Sequence, residues 1–149
     1  MYLLVQTVCQ ALVALENNSL AIGHVGDCRL YRVRNGRMIV LTRDHSLSAE
    51  MLRLHLISQE EALQHPGRHQ LTRSVGSSPF LRVDLVREKT NPGDSYILCS
   101  DGLWSEVSHD AIKNALSELN IENSLEELVG MVLKEGAPDN ITGIVFRVR

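Results

Sequence analysis

The chain has 149 residues, 44% of them hydrophobic and 22% charged, and its 15 Lys plus Arg against 18 Asp plus Glu leave a formal charge of −3. That length and apolar content suit one domain with a buried core and exclude disorder over most of the sequence. The mild acidity excludes a broad electrostatic grip on nucleic acid or on an anionic membrane, because either needs a basic face.

The opening stretch, 1–15, is apolar but interrupted by Gln6, Thr7 and Gln10, too short and mixed to span a bilayer. The first basic residue is Arg29, so a secretory signal is not expected. Strand-like runs follow at 11–15, 20–25, 29–34 and 38–41, separated by Asn17-Asn18, Gly26-Asp27 and Asn35-Gly36. Asn35-Gly36 predicts a two-residue type I′ hairpin, which needs positive φ at both central positions. From 46 to 66 helix formers dominate, and Ser58 with Glu61 has the spacing of a capping box, predicting one or two short helices. The run 80–89 alternates, with Leu81, Val83 and Leu85 on one face and Arg82 and Asp84 on the other, and 95–99 is a compact apolar run after Pro92-Gly93-Asp94. Both predict strands.

Ile112, Ala115, Leu116 and Leu119 recur at helical spacing, as do Leu125, Leu128, Val129 and Val132 behind a Ser124/Glu127 capping box, with Gly136 placed to end the second helix. A last β-rich run covers 141–148. Strands, then helices, then strands, without regular βαβ alternation, predict an α+β fold in which helices cover an antiparallel sheet.

Three cysteines, Cys9, Cys28 and Cys99, form no CxxC pair and fit neither a disulfide framework nor a structural zinc site. They point to a reducing, cytoplasmic setting, with Cys28 and Cys99 facing the core. His24 reads as a packed strand residue, while His55, His65 and His69 lack ligand spacing. Trp104 reads as a packing anchor.

Asp27, Asp101 and Asp139 each sit where an apolar strand meets a turn. Carboxylates at rigid strand ends suit a hard divalent cation, Mg²⁺ or Mn²⁺, although Asp is also an ordinary turn former.

Five segments in order carry a more specific signal. Gly26-Asp27-Cys28-Arg29-Leu30-Tyr31 resembles the "GDSR-x-Y" turn of the PPM (type 2C) metal-dependent protein Ser/Thr phosphatases. Leu41-Thr42-Arg43-Asp44-His45-Ser46 resembles their "LT-x-DHS" segment, and Leu71-Thr72-Arg73-Ser74-Val75-Gly76 their "LTRALG". Pro92-Gly93-Asp94 with Ile97 to Trp104 is similar to "PGD…LLCSDGLW", and Asp139-Asn140-Ile141-Thr142 to "DN-I/V-T". The match runs from about residue 7 to the end, with bacterial spacing.

The resemblance implies an antiparallel β-sandwich flanked by helices, hydrolysis of phosphoserine and phosphothreonine on proteins, and a two-metal centre that activates water. It implies that Asp101 and Asp139 act in catalysis by holding the first metal, that Asp27 with Asp101 serves a third, weaker site, and that Gly102 and Asn140 support these ligands. Residues from 46 to about 76 would form a flap near the site. Cys28 stands where the family has Ser.

The family's pattern also includes an upstream phosphate-binding Arg, a Glu-Asp pair and an Asp-Gly-x-Gly motif whose aspartate bridges two metals. Before Asp27 this sequence has one acidic residue, Glu16, and no Arg. The chain is therefore expected to be a single partial PPM domain, 1–149, lacking the N-terminal part of the fold and weakly active or inactive alone. An exposed sheet in such a fragment favours self-association. The alternative is a non-catalytic phosphatase-like module that binds phosphoproteins or regulates them; a nuclease is disfavoured by the acidic charge.

Overall fold

The computed structural model describes residues 2–6, 10–16, 18–76, 79–118 and 120–149. Two four-stranded antiparallel sheets face each other. The first runs β1 (Tyr2–Gln6), β2 (Gln10–Glu16), β3 (Ser19–Val25) and β6 (Asp84–Lys89) in that spatial order. The second runs β5 (Arg37–Val40), β4 (Arg29–Arg34), β7 (Ser95–Cys99) and β8 (Gly143–Arg147).

Alternation along the strands builds the core between the sheets. Ala11, Val13, Leu20 and Ile22 from the first sheet meet Leu30, Tyr96 and Leu98 from the second, and Tyr96 stacks on Phe146 at 4.9 Å. The opposite side chains of the second sheet, Tyr31, Val33, Ile97 and Cys99, pack beneath α4 (His109–Ser117) and α5 (Glu122–Lys134). Those helices bury Ile112, Ala115, Leu116, Leu128 and Val132, the stripes their spacing predicts; Leu119 lies outside the described residues. The fold is α+β, as expected.

Turn chemistry follows the sequence. Asn35 and Gly36 have φ of 51° and 72°, the left-handed pair that closes the β4–β5 hairpin, and Gly136 ends α5 at φ 96°. Ser58 and Glu61 form the expected capping box on α2 (Gln59–Gln64), which follows α1 (Leu47–Arg53) and precedes a 3₁₀ turn at Pro66–His69. Asn17 and Cys9 lie outside the described residues; Cys28 and Cys99 are buried in the core and form no disulfide.

Two local expectations are corrected. Ser124 does not cap a helix: α5 begins at Glu122, and the buried Ser124 hydroxyl donates instead to the Ala115 carbonyl at 2.6 Å, tying α5 to α4. The run 80–89 is a strand only over Asp84–Lys89, where Val86 packs inward on the core and Leu85 points out, 82% exposed. Asp84 and Glu88 turn inward because cations await them there, Arg73 for the first and Arg32 for the second. Among the described residues no helix is long and apolar enough to cross a membrane.

Candidate metal-binding site

The three turn aspartates sit at neighbouring strand ends, joined through Ser100 and Trp104, whose side chains bond main-chain groups of the facing loops. β7 runs through Ser100 into the short helix α3 (Asp101–Trp104). The Ser100 hydroxyl does not cap that helix. It accepts the Thr142 N–H at 3.0 Å and has the Asn140 and Thr142 carbonyls within 3.3 and 3.4 Å for its own proton. The Ser100 N–H also donates to the Thr142 carbonyl at 3.0 Å. The strand end carrying Asp101 is thereby stapled to the loop carrying Asp139.

Gly102 completes the joint, since a Cβ there would overlap the Asn140 carbonyl oxygen. Only glycine lets α3 lie this close to the 139–142 loop. Each carboxylate accepts the next residue's N–H, Asp101 from Gly102 at 3.0 Å and Asp139 from Asn140 at 2.6 Å. Asp27 is 4% exposed, in the turn between β3 and β4, and its carbonyl accepts the Trp104 indole N–H at 2.9 Å. The sole tryptophan thus bridges the Asp27 turn and α3, a role its sequence context does not reveal.

Among the described residues no group of three or more His, Cys, Asp or Glu is placed to hold a metal ion. Two aspartates on loops fixed against each other still fit the donor chemistry of a hard divalent cation that keeps several waters.

Behind the turns lies polar machinery that the sequence showed only as motif letters. Arg29 lies over the Trp104 ring, its Cζ 3.4 Å from the centroid, and its guanidinium grips Asp44 through contacts of 2.7, 3.0 and 3.2 Å. Asp84 carries His45 on one oxygen and Arg73 on the other. Burial would raise the Asp84 carboxyl, but those two partners hold it below its ordinary value. Arg73 also reaches Glu50 of α1, and so ties the 46–76 segment to β6. A cleft of about 450 Å³ opens between that segment and the second sheet, with Arg29, Leu52, Leu63, Trp104 and His109 in its walls.

No profile of a protein family matches the chain. The solved structure of the Mycobacterium tuberculosis serine/threonine phosphatase PstP superposes with a TM-score of 0.89 at 30% identity, over 95% of this chain and 60% of that one. This chain is a relative of the PPM (type 2C) protein Ser/Thr phosphatases. The PPM phosphatase fold accounts for both sheets and the α4–α5 pair. PppA of Pseudomonas aeruginosa gives a TM-score of 0.85 at 35% identity over 95% of this chain and 57% of its own. PhpP of Streptococcus pneumoniae is 31% identical over 137 residues, 91% of this chain and 55% of PhpP. The chain spans about half the length of such curated PPM relatives, consistent with a C-terminal portion of the domain. A second PstP structure, of its catalytic domain, holds two manganese ions; it superposes with a TM-score of 0.80 at 28% identity.

Proposed function

We propose that this chain is a partial PPM domain, 1–149, of a metal-dependent protein phosphatase acting on phosphoserine and phosphothreonine. Asp101 and Asp139 would hold a divalent cation, Mg²⁺ or Mn²⁺, with Asp27 serving a third, weaker position. Such a cation supplies Lewis acidity, activating water and neutralising charge on a phosphoryl group. The chain's own residues do the positioning: Gly102 admits the Asn140 carbonyl, Ser100 staples the two loops, and Trp104 holds the Asp27 turn against α3.

The single observation that carries this reading is the joint between α3 and the 139–142 loop, which ties together the segments carrying two separate aspartates at neighbouring strand ends. The segment 46–76 is read as the flap, because it closes one side of the cleft beside Trp104. A reducing, cytoplasmic setting suits the buried thiols Cys28 and Cys99, which form no disulfide.

Two carboxylates provide only part of a two-metal centre, so the isolated chain is expected to hydrolyse phosphoesters slowly or not at all. A second reading, a non-catalytic binding or regulatory module, is favoured by the absence of a three-carboxylate group among the described residues. The exposed outer face of the first sheet supports self-association in either case.

The test is Mn²⁺-dependent hydrolysis of p-nitrophenyl phosphate and a phosphothreonine peptide, with Asp139→Ala and Asp101→Asn alongside. Residual turnover lost in both variants supports the phosphatase. Turnover at an ordinary enzymatic rate would reveal a complete site and overturn the expectation of weak activity. Phosphopeptide binding without hydrolysis, indifferent to both substitutions, would favour the module.

A further inference from the structure

His45 holds the Asp27 turn from behind, and nothing in the proposed chemistry uses it. It is fully buried, in the stretch between β5 and α1. Its backbone N–H donates to the Gly26 carbonyl at 2.8 Å, and its Nδ1 accepts the Gly26 N–H at 3.0 Å. One residue therefore binds both main-chain groups of the glycine before Asp27. That glycine has φ 106°, a conformation open to glycine because it has no Cβ.

The rest of the ring has a defined partner too. With Nδ1 accepting, the proton of the neutral imidazole sits on Nε2, 3.1 Å from Asp84 Oδ2 on β6. Asp84 therefore selects the tautomer that can receive the Gly26 amide, as an outer carboxylate does for a metal-bound histidine. The His24 ring packs at 5.0 Å, tilted by 44°, and keeps that side of the imidazole dry. The His45 carbonyl accepts the Thr72 N–H at 2.8 Å. The Asp27 turn is consequently pinned at two points, Gly26 by His45 and the Asp27 carbonyl by Trp104.

We propose that His45, oriented by Asp84, is a positioning residue that fixes the Gly26 amide and thereby the direction in which Asp27 presents its carboxylate to a divalent cation. The metal half of this statement rests on the reading of Asp27 as a ligand; the turn-setting half does not.

Two amide variants separate positioning from packing. His45→Asn keeps an acceptor close to the place of Nδ1 and loses the donor to Asp84. His45→Gln places an amide N–H near Nε2 and loses the acceptor for Gly26. His45→Asn is the smaller by one methylene and leaves the larger void at this fully buried position, so a purely structural role would cost it more than His45→Gln, the reverse of the order expected here. In His45→Gln the Gly26 amide is expected to exchange at least tenfold faster by NMR, the Trp104 indole N–H resonance to shift, and the weaker Mn²⁺ affinity of the chain to fall at least fivefold by calorimetry. In His45→Asn the exchange rate and the affinity are expected within about twofold of the parent, and the indole resonance is expected unshifted.

Equal responses of the two variants, or an unchanged Gly26 amide in His45→Gln, would overturn the proposal. If the parent chain binds no Mn²⁺, the metal half and the reading of Asp27 fail together, while the amide and indole signals still decide the turn-setting half. Should His45→Gln fail to fold, Asp84→Asn serves instead. Its ring ¹⁵N shifts are expected to show mixed tautomers with faster Gly26 exchange, and unchanged shifts would overturn the claim that Asp84 orients the ring.

Discussion

The two sheets are treated very differently on their outer faces. The second carries Tyr31, Val33, Ile97 and Cys99 beneath two helices whose inward stripes are fully covered. The first leaves Leu85 82% exposed, beside a loop in which Phe80 is 90% exposed and Val83 43%. The first sheet also ends on β1, an edge strand with no further neighbour among the described strands. Core residues between the sheets are equally dry on both sides, so the contrast concerns the outer layer alone. One face is covered by helices and the other leaves a large apolar side chain in solvent, in a chain about half the length of its curated PPM relatives.

The contrast breaks if deletions on the two faces cost the same. Leu128→Ala, at a fully buried position of α5, is expected to lose about 4 kcal/mol in urea unfolding, whereas Leu85→Ala should change stability by less than about 0.5 kcal/mol.

Next in size is the ion pair that anchors β7 to β4. Arg34 meets both Asp94 oxygens at 2.7 Å, and Asp94 also accepts the Asn91 N–H and the Tyr96 hydroxyl. Burial would raise the Asp94 carboxyl, but Arg34, the Asn91 amide and Tyr96 hold it below its ordinary value. Its stabilisation is therefore complete above the unfolded carboxylate's pKa, about 3.9, and disappears as pH falls through the lower folded value. Asp94→Asn is expected to cost roughly 3 kcal/mol at pH 7 and to flatten the acid limb of the stability profile.

Gly102→Ala is expected to cost about 2 kcal/mol, because the new methyl must push the Asn140 carbonyl away. The same variant should weaken Mn²⁺ binding, which links the local clash to the site. The smallest effect is expected at Leu85→Lys, which should leave the melting temperature unchanged while shifting sedimentation toward monomer. Undiminished self-association would show that this face is not the interface.

The sequence was legible wherever a local rule acted alone. Asn35-Gly36 closes its hairpin and Ser58/Glu61 forms its box, because both are satisfied within four residues. The apolar stripes of α4 and α5 and the α+β class follow from periodicity in the same way. Local patterns failed where a distant partner competed. Ser124 gives its hydroxyl to Ala115 instead of capping, and 84–89 turns its carboxylates inward toward Arg73 and Arg32.

The candidate site divides along the same line. Asp27, Asp101 and Asp139 announce themselves as turn aspartates, and the ordered motifs pointed to the family. What joins them does not show locally: Trp104 reaches the Asp27 carbonyl, Ser100 binds the 140–142 loop, and His45 meets Asp84 across the sandwich. Asp44 and His45 lie within the 41–46 motif, which marked the place without the role.

The most direct test of the central claim is a calorimetric Mn²⁺ titration of this chain beside Asp101→Asn and Asp139→Asn. The expected result is saturable binding by the parent that weakens at least tenfold in either variant. A folded parent chain that takes up no Mn²⁺, or variants that bind as the parent does, would contradict it.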